Sequence, residues 1–128
     1  MVRSVLLAIG AYFGGLGVLM WLAPELWYEL TPGVAMMGPF NLHFVRDIAM
    51  IFLVSGCGLI WGALRQDQTA CVFGVAWPVM HAVFHFWIWG ARGGPMDLIG
   101  LSNLIGIQLP AWLAVSMIVR LRNKEMNR

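Results

Sequence analysis

Charge is what this sequence has least of. Only 11% of its 128 residues are Asp, Glu, Lys or Arg, against 60% hydrophobic. A soluble domain carries about 25% charged residues, so a water-soluble fold is excluded. Cysteine is almost missing too. Cys57 and Cys71 are the only two and form no Cys-x-x-Cys pair, which argues against a disulfide framework and against thiol-redox chemistry. Both read as small apolar packing residues. The three histidines allow at most one bis-histidine haem. No glycine-rich nucleotide motif, internal repeat or coiled-coil heptad is found, so no nucleotide is expected.

What is present is apolar length. Four uncharged stretches, Ser4 to Pro24, Ile48 to Leu64, Gln68 to Ala91 and Leu98 to Val119, lie between the charges. A helix needs about 20 residues to cross the hydrocarbon layer of a bilayer. Three stretches meet that length; the second must borrow the turn before Ile48, which holds His43, Arg46 and Asp47. The sequence therefore predicts an all-α, integral membrane four-helix bundle in one domain, with spans at about 4–23, 42–64, 69–91 and 97–120. Arg3 followed by an apolar run resembles a secretory signal, but the run is longer than the roughly 7–15 residues of such a core, and it is read as the first span.

Four crossings put both termini and the turn near Arg65 on one side. That side carries six of the eight basic residues, Arg3, Arg65, Arg120, Arg122, Lys124 and Arg128, leaving Arg46 and Arg92 for the other. The positive-inside rule then makes the termini cytoplasmic, in an inner membrane. The basic tail is read as a topology anchor or a contact with anionic lipid, and no nucleic acid is expected as a partner.

Pro24 to Leu30 reads as a short helix in the interface, with proline at its start, Glu25 in its first turn, and Trp27 and Tyr28 where amphipathic rings prefer to lie. Met36 and Met37 could serve a soft metal, but contact with lipid is the plainer reading. Asn41 is the expected N-cap of the second span. Gly10 and Gly14, and again Gly58 and Gly62, have the spacing that lets helix backbones approach closely. Pro78 and Pro110 predict kinks in the third and fourth spans.

The candidate site comes from the few polar groups inside these spans. His43, Arg46 and Asp47 share one face at the head of the second span, and His81 and His85 stand one turn apart on the third. Asn103 and Gln108 are five residues apart on the fourth, about 140° in azimuth on an α-helix. Only one of them, Asn103 in this reading, can join the site. Polar groups at such depth are costly and mark function by default. They are expected to turn inward and meet in the half of the bundle away from the termini.

Several chemistries suit such a set. His43 and His85 on different helices could ligate a haem b. His81 and His85 with Asp47 could hold a transition metal; no glutamate follows His81, so the hydrolytic zinc motif is absent. Arg46 and the histidines could grip the polar head of a quinone or an anionic lipid. The set could also be a satisfied structural network. The reading is a non-catalytic membrane protein, binding such a ligand or serving as an accessory subunit of a larger complex or a homo-oligomer. The enzymatic alternative uses His85 and Asp47 in acid–base roles with Arg46 holding an anionic group.

Asn41-Leu-His43-x-x-Arg46-Asp47 opening one span, then His81-x-x-x-His85 in the next, resembles small bacterial four-span inner-membrane proteins without an assigned function. The resemblance implies the topology and no activity. The Cys-x-x-Cys centres of quinone-linked thiol oxidases are missing. So are the membrane-embedded first-helix carboxylate of small multidrug antiporters and the Arg/His/Asn-rich pattern of glutathione-using membrane transferases.

Overall fold

The computed structural model describes the backbone of residues 1–126 and the side chains of residues 1–122; Arg128 of the basic tail lies outside the described residues. Helix α1 (Val2–Leu22) leads into the short α2 (Pro24–Leu30), then a 3₁₀ turn at Val34–Met36. Next come α3 (Leu42–Arg65), α4 (Gln68–Ala91), α5 (Leu98–Ser102), a π-helical segment (Asn103–Gln108) and α6 (Leu109–Met126). Four helical units, Val2–Leu22, Leu42–Arg65, Gln68–Ala91 and Leu98–Arg122, are long and apolar enough to cross a membrane. Among the described residues the only regular structure is helical, and its four long apolar helices are those of a multi-pass bundle. Below, the end holding the termini and the α3–α4 turn is the terminal end, and the opposite end is the far end.

Polar side chains close the helix starts. Asn41 accepts a hydrogen bond from the Phe44 amide at 3.1 Å, as the sequence predicts, and Asp67 does the same for Ala70 at 3.1 Å. Each satisfies a backbone donor that a helix start leaves unpaired. The tight α3–α4 turn needs Gln66 in the left-handed region, φ 57°. Proline leads α2 at its first turn, where its missing N–H does no harm.

Consecutive spans pack side by side, and the fourth closes the ring against the first. The first seam is nearly bare backbone. A methyl group on Gly56 would lie 2.6 Å from the Gly14 amide nitrogen and 2.7 Å from the Gly10 carbonyl oxygen, so α1 and α3 touch because neither presents a side chain there. The second seam repeats the device, with Gly74 of α4 against Gly58 and Leu59 of α3. Gly62 makes room for Cys71, which is fully buried, whereas Cys57 lies exposed on the surface. Leu6, Phe13, Phe52 and Leu59 fill the core between these seams.

The fourth span departs from a plain α-helix. Pro110 has no N–H to offer the carbonyl of Gly106, one turn earlier. That carbonyl instead accepts from the Tyr12 hydroxyl of α1 at 2.8 Å. Just before the proline the helix widens, the Leu109 amide reaching back to the Leu104 carbonyl, five residues away as a π turn requires.

Candidate functional site

His81 and His85 stand on the face of α4 that looks toward α3. Their ring centroids are 4.3 Å apart, edge to face. Trp77, one turn before, stacks on His81 at 4.6 Å with only 15° between the planes. Phe52 of α3 meets the Trp77 ring edge-on at 4.9 Å and the His81 ring at 6.3 Å. Phe84 turns its edge to His85. The two imidazoles therefore continue an aromatic column at i, i+4 and i+8, walled on one side by Phe52. Both are half-buried, and among the described residues neither ring accepts or donates a hydrogen bond to protein.

The charged residues at the head of α3 divide between two directions. Arg46 and Asp47 are adjacent, hence about 100° apart around the helix. Arg46 leans toward α1 and sets its guanidinium 5.4 Å from the centre of the Trp21 ring. Asp47 pairs with His43 on its own helix, Nε2 to Oδ2 3.4 Å, with the two side chains 89% and 46% exposed. The expected single inward cluster of His43, Arg46, Asp47, His81 and His85 does not form. His43, Arg46 and Asp47 all lie within the first two turns of α3, at the far end.

Depth is nevertheless shared. Eleven residues from the Gly58–Gly74 contact along either helix lie Asp47 and His85, about three turns on, so the register puts them at one level. Their side chains are not joined: among the described residues no group of three His, Cys, Asp or Glu gathers as a metal site, and Asp47 stays with His43. A haem on His43 and His85 needs imidazoles facing each other across the bundle. His43 lies on the surface instead, so that ligand set does not fit.

Asn103 and Gln108 overturn the azimuth expected for them. Within the π turn, residues five apart come into line, and Gln108 Nε2 donates to Asn103 Oδ1 at 3.1 Å. The same Nε2 donates to the Ala82 carbonyl of α4 at 2.7 Å, and Gln108 Oε1 accepts from Trp112 Nε1 at 2.9 Å. Asn103 and Gln108 are both buried, and Asn103 Nδ2 is left without a partner in the protein. Gln108 is thus the polar residue that ties the fourth span to α4 beside His81. Its signal in the sequence was the spacing of five combined with Pro110 two residues later.

At the far end the connection from α4 to α5 is closed by Asp97. Its Oδ1 accepts from the Gly100 amide at 2.7 Å and its Oδ2 from Arg92 at 2.7 Å. The Gly100 amide first, and the Arg92 guanidinium second, hold the carboxyl below the ordinary carboxylate range. Trp89 points its indole N–H at the Pro95 carbonyl, 2.9 Å away. Arg92 is therefore spent on the loop and not on the histidine pair. Comparison with known protein families, characterised proteins and solved structures finds no match to this chain.

Proposed function

We propose that this is a non-catalytic, multi-pass inner-membrane protein that holds a small lipid-soluble ligand at the His81–His85 pair. The arginines at the terminal end, Arg3, Arg65, Arg120 and Arg122, support a cytoplasmic placement of that end. They leave α2, with Trp27 and Tyr28, to lie in the opposite interface. One observation carries the ligand reading: two imidazoles 4.3 Å apart, half-buried within a membrane span, with no protein partner for their nitrogens. An unsatisfied polar group in hydrocarbon costs several kcal/mol. A bound molecule removes that penalty when it brings a hydrogen-bonding head to the rings and a flat apolar body to Phe52 and Trp77. A quinone has this chemistry.

A second reading is favoured by the i, i+4 spacing itself, which lets two imidazoles chelate one transition metal. Remaining ligands would come from the bound molecule or from water. Acid–base catalysis by His85 with Asp47 has less support, because the Asp47 carboxylate is engaged by His43.

The test is to purify the chain from membranes, extract it for mass spectrometry of small molecules, and measure metals by elemental analysis. His81→Phe and His85→Phe serve as paired variants that keep the ring stack. Bound organic material that disappears in both variants at unchanged thermal stability is the expected result. Loss of a stoichiometric metal instead selects the second reading. If neither variant changes what is bound, there is no ligand at this pair.

A further inference from the structure

The hydrogen-bond chain inside the fourth span ends on a free donor. Trp112 has only an indole N–H to offer, and it goes to Gln108 Oε1 at 2.9 Å. That fixes the Gln108 amide. Its Nε2 turns the other way, donating to the Ala82 carbonyl at 2.7 Å and to Asn103 Oδ1 at 3.1 Å. Asn103 therefore gives its oxygen to Gln108 and keeps its amide nitrogen. That Nδ2 has no partner in the protein, on a residue only 6% exposed. A buried donor in this state costs free energy that an acceptor brought from outside would recover.

Register places this donor beside the histidine pair. The fourth span and α4 run antiparallel and meet at two rungs: a methyl on Gly100 would lie 3.2 Å from Trp89 Nε1, and Gln108 bonds to Ala82. Asn103 lies between the rungs on one helix, three residues from Gly100, and His85 lies between them on the other, four residues from Trp89. The two are level to within about half a turn. Ala82, His85 and Trp89 are spaced i, i+3 and i+7, which is one face of α4. Ala82 and Trp89 both meet the fourth span, so His85, whose ring also touches His81, stands on the strip of α4 that faces it.

We infer that Asn103 donates to the molecule held at His81 and His85, and that this molecule is a quinone, one carbonyl taking the amide N–H and the other an imidazole N–H. The inference rests on reading that pair as a ligand site, and adds to it a second wall and a class of occupant. An amide N–H₂ offers hydrogens only, so it matches an oxygen lone pair and opposes a bare cation. A neutral imidazole likewise has one N–H to give. Trp77 stacked on His81, with Phe52 at its edge, supplies apolar walls for the ring that carries the carbonyls.

The experiment titrates the detergent-purified chain, by calorimetry, with a naphthoquinone bearing an undecyl tail and with the naphthalene bearing the same tail. The quinone is isotope-labelled at one carbonyl or the other, and the infrared stretch of each is recorded in the complex. The quinone should bind more tightly than its oxygen-free analogue, with both stretches lowered as in hydrogen-bonded carbonyls. Asn103→Leu should weaken the quinone about tenfold, equivalent to about 1.4 kcal/mol, leave the naphthalene unchanged, and return one stretch to its free frequency. The double variant His81→Phe/His85→Phe should return the other. Should Asn103→Leu fail to fold, the wild-type spectrum decides: a single lowered stretch overturns the inference. Equal weakening of the two compounds by Asn103→Leu, or of neither, also overturns it and leaves Asn103 a structural residue. In those cases the histidine site stands as long as quinone binding depends on the pair. Quinone binding indifferent to both histidines, or absent from the wild type, removes that site and this inference together.

Discussion

Gln108 on the fourth span donates its side-chain N–H to the backbone carbonyl of Ala82 on α4, 2.7 Å away, one residue past His81. Interhelical hydrogen bonds inside membranes average about 0.6 kcal/mol and reach about 1.7; Gln108 makes one such bond, to Ala82, and two more within its own span, to Asn103 and Trp112. Gln108→Leu is therefore expected to destabilise the bundle by about 1–3 kcal/mol. Asn103→Leu should lose less, since it also removes the unpartnered Nδ2. Reversible unfolding in mixed micelles checks the order of the two.

The Tyr12–Gly106 bond exists because Pro110 leaves a carbonyl free. Tyr12→Phe should cost about 1 kcal/mol in the native sequence. In a Pro110→Ala background, where a backbone N–H can return to Gly106, the same substitution should cost clearly less. A double-mutant cycle measured by unfolding gives the coupling directly.

The glycines of α1 and α3 are not equivalent. Gly56→Ala places a methyl 2.6 Å from the Gly14 nitrogen and should destabilise by about 1–3 kcal/mol, as overpacking does. Gly15 has nothing within 4 Å of an added methyl, and Gly15→Ala should be neutral or slightly stabilising, because alanine favours helix. Thermal melts of the two variants in one detergent should separate them.

The Asp97 carboxyl is held below its ordinary range, so its contribution to the folded loop is complete above the ordinary carboxylate value and fades as pH falls through the lowered one. Hydrogen exchange at the Gly100 amide should accelerate in that acid window. Asp97→Asn keeps an acceptor for the amide but loses the charge facing Arg92, and should remove the pH dependence. An unchanged exchange profile in Asp97→Asn would show that the carboxylate does not set it.

Most of the architecture was readable from residues alone. Uncharged length set the four spans, and Asn41, Pro24, Gly10, Gly58 and Gly62 behaved as their chemistry requires, whereas a methyl on Gly14 would meet nothing within 4 Å. Two things were not readable. The π turn is invisible to α-helical arithmetic, which put Asn103 and Gln108 on different faces, because Pro110 changes the hydrogen-bond pattern before it as well as its own. The division of Arg46 from Asp47 was implicit in their 100° separation, but which neighbour each would take depended on Trp21, 25 residues earlier in the chain, and on His43 being near enough to pair locally. That His81 and His85 stand one turn apart inside one long apolar helix was legible; the stacking of Trp77 on His81 and the approach of Phe52 depend on tertiary packing that spacing alone does not encode.

The unequal burial of the two thiols makes the native protein its own reporter. An apolar organomercurial dissolved in the bilayer, which caps a thiol by displacing its proton, will bind Cys57 first and spare Cys71 for as long as Gly62 keeps it covered. The delay between the first and second adduct then clocks how often the second and third spans part, with no engineered label.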